Sequence, residues 1–184
     1  QGDIGQAVRY ANKAESLTTD NASFLLGNLF TKHDQLDHAN RFYANAIKAD
    51  PDNPEPMCNL AANLYKQGEH RKAINWYEEA LDLKEDVLPG LIGLSSILVT
   101  TPDASLRNGR RAVQLMERAC QLTNYEADVP LSLLAAAHAE CGDFAKAIDI
   151  AGRALGLAQA KGKDDLAQQL KGQIEIYERA LLQP

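Results

Sequence analysis

Cysteine is scarce in this 184-residue chain, and its three thiols, Cys58, Cys120 and Cys141, stand far apart, with no C-x-x-C pair and no histidine at a zinc-like offset. That spacing supports neither a disulfide framework nor a metal site, so the thiols read as small, half-buried helix residues. Their odd number points to a reducing or cysteine-indifferent location, and the compartment, cytoplasmic or periplasmic, stays open. Aromatics make up 6% of residues and nowhere alternate with polar ones, which argues against half-buried strands. No apolar run approaches the roughly 18 residues of a spanning helix. The longest, Leu88 to Val99, is interrupted by Pro89, Gly90, Gly93, Ser95 and Ser96. Direct membrane insertion is not expected, and no signal peptide is visible. Positive charge is also short: 19 Lys and Arg against 25 Asp and Glu give a net charge of −6. Such a chain is a poor match for a phosphate backbone, so nucleic acid is not an expected partner. The signatures of a P-loop, G-x-G-x-x-G, G-x-S-x-G and H-E-x-x-H are all missing, and no cofactor or enzymatic turnover is expected. The first residues, Gln1-Gly2-Asp3, lack a methionine, which reads as a piece of a longer or processed protein.

What the chain does have is alanine, leucine and long charged residues, within a 45% hydrophobic total, and these favour helix throughout. One spacing recurs: a small residue, a large or small residue four later, and alanine three beyond. It appears at Ala7/Ala11/Ala14, Ala39/Tyr43/Ala46, Ala73/Tyr77/Ala80, Ala112/Met116/Ala119 and Ala147/Ala151/Ala154. Between the last alanines of successive triplets the steps are 32, 34, 39 and 35 residues. That period is too long for a heptad and marks a tandem repeat. Upstream of four triplets lies an i, i+3, i+4, i+7 face: Ser23/Leu26/Gly27/Phe30, Met57/Leu60/Ala61/Leu64, Leu91/Leu94/Ser95/Leu98 and Leu131/Leu134/Ala135/His138. Gly68, Gly142 and, in its own unit, Asp34 stand between the two patterns, where a positive φ would stop one helix before the next. Each unit therefore reads as helix, tight turn, helix, polar turn.

The order of these residues resembles the tetratricopeptide repeat, with its pattern of about 34 residues. The resemblance implies an all-α, right-handed α-α superhelix of about ten helices forming one solenoid over 1–184. Its parts would be a half repeat (second helix only) at 1–19, repeats at 20–53 and 54–87, a third at 88–126 with a longer inter-helix loop, a fourth at 127–160, and a capping helix in 161–184. The half repeat would leave Ile4, Val8 and Ala11 partly uncovered, a surface for further repeats or for a homo-oligomer contact. The stretch from Arg107 through Glu140 resembles repeats common in C-terminal arrays of larger bacterial proteins, some of them in the envelope.

Function would then reside in protein binding. Helical phase places Asn21, Phe24, Asn28 and Lys32 on the concave wall, followed by Glu55, Cys58, Asn59, Ala62, Tyr65 and Lys66, by Ile92, Ser96 and Val99, and by Ser132, Ala136 and Glu140. Asparagine amides offer both donors and acceptors to an extended peptide, and lysines attract carboxylates. Co-chaperone members of the family clamp a terminal carboxylate with asparagines and cations; Asn28 and Asn59 match, but Phe24, Ser96 and Thr100 stand where cations belong. A generic peptide or protein partner in the groove is therefore the expectation. A self-assembling module, or an accessory domain of a larger enzyme or envelope protein, is the alternative. Separately, Arg107, Arg110, Arg111 and Arg118 give residues 102–126 a local charge of +1, a candidate dock for an anionic partner.

Overall fold

The computed structural model describes residues 20–183, with side chains from Ala22 onward, and the chain divides into two compact units, residues 1–85 and 86–184. The expected half repeat at 1–19, with Ile4, Val8 and Ala11, lies outside the described residues, as does the side chain of Asn21. In the first unit the helices are α1 (Asp20–Lys32), α2 (Leu36–Ala49), α3 (Pro54–Lys66) and α4 (His70–Leu83). The second unit holds α5 (Leu88–Thr100), α6 (Gly109–Leu122), α7 (Asp128–Glu140), α8 (Phe144–Ala160) and α9 (Asp164–Leu181). No strand occurs among the described residues, and the fold is an all-α helical repeat.

The recurring small residues explain the packing. Ala39, Ala73, Ala80, Ala112, Ala119, Ala147, Ala151 and Ala154 have no exposed surface, so helix backbones meet there without intervening side chains. Tyr43, Tyr77 and Met116, the middle residues of three triplets, fill the volume between them and are also buried. Within units, each helix packs on its sequence neighbour, and α5 also meets α7. Gly68 and Gly142 take φ of +80° and +79° at the turns α3–α4 and α7–α8, and Asp34 takes +57° at α1–α2. Between α5 and α6 the tight turn gives way to a loop around a single 3-10 turn, Ala104–Leu106, where Asp103 caps Ser105 and the Asn108 N–H reaches back to the Leu98 carbonyl. Asn53 starts α3, its Oδ1 accepting from the Glu55 N–H with Pro54 behind it.

Two polar locks sit within the second unit. Arg118 on α6 donates from Nε and Nη2 to both oxygens of Asp86, at 2.6 and 2.8 Å. Asp128, at the start of α7 with its side chain only 4% exposed, receives Lys163 at 2.9 Å and Lys161 at 3.5 Å, both from the α8–α9 turn. Lys161 also donates to the Glu126 carbonyl. Burial alone would raise the Asp128 carboxyl, but the two ammonium groups outweigh it and hold it below the ordinary carboxylate value. His138 is buried on α7; desolvation and Lys146 lower its pKa against the opposing pull of Asp143 and Glu117.

The thiols differ sharply in environment. Cys58 and Cys120 are buried and Cys141 is exposed at the end of α7. Burial, reinforced by Glu55, pushes Cys58 up to about 12, and burial pushes Cys120 up to about 11. Since the thiolate is the reactive form, native protein at pH 8 is expected to titrate one thiol per chain with an aromatic disulfide reagent, and three after denaturation. Rapid reaction of two or more native thiols would contradict that assignment.

Candidate functional site

The first unit contains a pocket of about 270 Å³ between α1 and α3, with α2 beneath. Its lining combines Asn28 and Thr31 from α1, Tyr43 from α2, and Asn59, Ala62, Asn63 and Lys66 from α3. The repeat period creates this arrangement: the Asn59–Asn28 bond spans 31 residues and the Asn63–Thr31 bond 32, so equivalent turns of successive first helices face each other. Tyr43 is 1% exposed, which brings its ring into the core against Phe24 at a centroid distance of 6.1 Å, while its hydroxyl reaches the pocket.

That hydroxyl is the hub of a relay. Tyr43 donates to Asn28 Oδ1 at 2.9 Å, and Asn59 Nδ2 donates to the same oxygen at 2.8 Å. Thr31 Oγ1 lies 3.1 Å from the Tyr43 oxygen and accepts from Asn63 Nδ2 at 2.9 Å. Because the single Tyr43 proton is directed at Asn28, the Thr31 hydroxyl must donate to Tyr43. Burial raises the Tyr43 pKa, and the bonds to Thr31 and Asn59 partly offset that. The chain of bonds fixes both outer asparagines with little freedom left in their amides. Lys66 stands exposed at the rim, in the last turn of α3.

Of the residues expected on the concave wall, the structure brings Asn28, Asn59, Ala62 and Lys66 into this pocket. Phe24 packs against the core instead of being displayed, and Cys58 is buried, 3% exposed, where a groove position was expected. Tyr65 is half-buried with its ring tilted over His70 at 5.2 Å, while Lys32 and Glu55 are not buried. Ser96, Ser132 and Glu140 belong to residues 86–184; the two serines are half-buried, and Glu140 pairs with Arg107 at 3.5 Å. The expected arginine patch is partly spent internally, since Arg107 holds Glu140 and Arg118 holds Asp86, while Arg111 is exposed. Thr31, Tyr43 and Asn63 were not anticipated as site residues. Tyr43 stands in a recurring triplet, whereas Thr31 and Asn63 fall outside both recurring patterns, so only their hydroxyl and amide could have marked them.

Among the described residues, no three His, Cys, Asp or Glu side chains stand close enough to hold a metal ion. No helix among them is long and apolar enough to cross a membrane.

Residues 54–87, comprising α3, its turn and α4, match the tetratricopeptide repeat family, and solved structures with that repeat superpose on almost the whole chain. Residues 54–87 are a tetratricopeptide repeat by sequence, and the chain has the fold of tetratricopeptide-repeat proteins. Among similar structures is YrrB, a tetratricopeptide-repeat protein with an unusual peptide-binding site, at 16% identity and a TM-score of 0.71 over 93% of this chain and 84% of that one. MamA from Desulfovibrio magneticus RS-1, residues 41 to the end, aligns at 13% identity and 0.67, covering 89% and 97%. A thermophilic tetratricopeptide-repeat protein of Thermus thermophilus aligns at 19% and 0.61, covering 90% and 100%. At these identities the likeness concerns the fold. No curated protein matches the sequence. Tetratricopeptide repeats are in general a non-catalytic fold that binds protein or peptide partners.

Proposed function

We propose that this scaffold holds an extended peptide segment against the α1–α3 face of its first unit, with Asn28, Asn59 and Lys66 as the polar anchors. The observation that carries this reading is the relay through Tyr43 and Thr31, which immobilises two neighbouring amides beside an open pocket before any ligand arrives. Preorganised donors and acceptors lose little entropy on binding, so a short segment can be held by few contacts. YrrB, with its peptide-binding site on the same fold, supports the reading by analogy.

The test uses peptides selected by the whole chain from a displayed random library, followed by calorimetric titration. Lys66→Glu reverses the rim charge at an exposed position, and it is expected to weaken a selected peptide three- to tenfold while leaving the melting transition in place. Unchanged affinity would move the binding face away from this pocket.

A further inference from the structure

The same relay that fixes the pocket also dictates which atoms remain for a ligand, and this inference rests on the peptide-holding reading above. Asn28 Oδ1 already accepts twice, from Tyr43 and from Asn59, so Asn28 can offer a ligand only the N–H groups of Nδ2. Asn59 has committed one N–H of Nδ2 to Asn28 and keeps the other N–H together with the acceptor Oδ1. Asn28 on α1 and Asn59 on α3, both lining the pocket and joined by that bond, thus offer a donor from one amide and an acceptor from the other.

We propose that this pocket captures a primary carboxamide, the side chain of an asparagine or glutamine on the bound segment, and discriminates against the corresponding carboxylate. A primary carboxamide carries its carbonyl and one N–H on the same edge, so a single group accepts from Asn28 Nδ2 while donating to Asn59 Oδ1. A carboxylate brings acceptors only. It satisfies Asn28 but leaves Asn59 Oδ1 without a donor, and a partly buried acceptor left unpaired is costly. Lys66 attracts either group, yet it is exposed, and water screens its charge. The concavity also favours a projecting side chain: Tyr43, buried and contributed by α2, closes the pocket from below.

The experiment compares three versions of one library-selected peptide on the wild-type chain, with glutamine (or asparagine), glutamate (or aspartate) and alanine at the shared position. The expected result is a common Asn or Gln among selected sequences, and at least tenfold weaker binding by both the acid and the alanine versions. Asn28→Asp supplies the converse test. The carboxylate can still accept from Tyr43 and Asn59, so the relay and the melting transition persist, but the outward donor becomes an acceptor. Binding of the glutamine peptide should then fall at least tenfold. Selected peptides with no shared carboxamide, or equal affinity for the glutamine and glutamate versions, would overturn the carboxamide assignment and leave the peptide-holding reading intact. If no peptide is selected, or selected peptides ignore both Lys66→Glu and Asn28→Asp, both readings fall together.

Discussion

Gly27→Ala is expected to destabilise the first unit by about 3 kcal/mol, although helix propensity alone argues for a gain of about 1 kcal/mol. Gly27 lies inside α1 and is buried against Tyr43; a methyl there would stand 2.5 Å from Cδ1 of that ring and closer still to Cε1. The ring cannot swing away, because Tyr43 is 1% exposed and its hydroxyl is tied to Asn28 and Thr31. Either α1 lifts from α2 or the relay breaks, and overpacking of a fixed aromatic outweighs propensity. Gly152 and Gly156 on α8 supply the control: an added methyl meets nothing within 4 Å at either, so alanine there should stabilise by about 0.5–1 kcal/mol. Urea titration measures both signs, and amide exchange in α1 locates the loss. A neutral or stabilising Gly27→Ala would mean that the α1–α2 contact is looser than described.

Replacing both Lys161 and Lys163 by methionine should cost about 3 kcal/mol, the expected scale for stranding a buried carboxylate. The pair also makes a prediction about acid that no volume change could imitate. In the native chain the lysines hold Asp128 below the ordinary value of about 3.9, so the unfolded chain takes up this proton first as pH falls. The stabilisation is complete above about pH 4 and is lost as pH drops through the lower folded value. Without the lysines burial is left unopposed, and it raises the carboxyl. The folded state then protonates first, so lowering the pH from 7 toward 5 should return part of the lost stability in the double variant and none in the parent. Urea midpoints at pH 7, 6 and 5 decide it, and parallel curves for the two proteins would rule out Asp128 as the source.

The repeat architecture was legible because its signal is redundant. Alanine triplets, a first-helix face and a glycine or aspartate turn all recur at one period, and Ala39, Ala73, Ala112 and Ala147 lie where that period puts them, fully buried. The site was legible only in part. Helical phase pointed Asn28, Asn59 and Lys66 toward one face, since phase depends on the helix alone. It placed Cys58 on the same wall, where packing buries it, because how deeply a position sits depends on neighbouring helices that phase does not describe. Tyr43 was assigned to packing, and its ring does pack. That its hydroxyl also emerges between Asn28 and Thr31 follows from a long side chain with two chemically different ends. Asp128 was missed for a similar reason. Its partners Lys161 and Lys163 come one repeat later, and nothing local distinguishes that aspartate from an ordinary helix-start acid.

The Tyr43 relay has a consequence for inheritance. Residues on three helices share one directed chain of protons, so replacing Asn28 with a residue that cannot accept strands both Tyr43 and Asn59. Drift at this face should therefore proceed in jumps, with Asn28, Tyr43 and Asn59 kept or exchanged as a set. The exposed second-helix positions Ala44 and Lys48, outside the pocket lining, can change one at a time. Descendants that took a different partner would then be recognised by a rewritten triad, while their alanine triplets stayed the same.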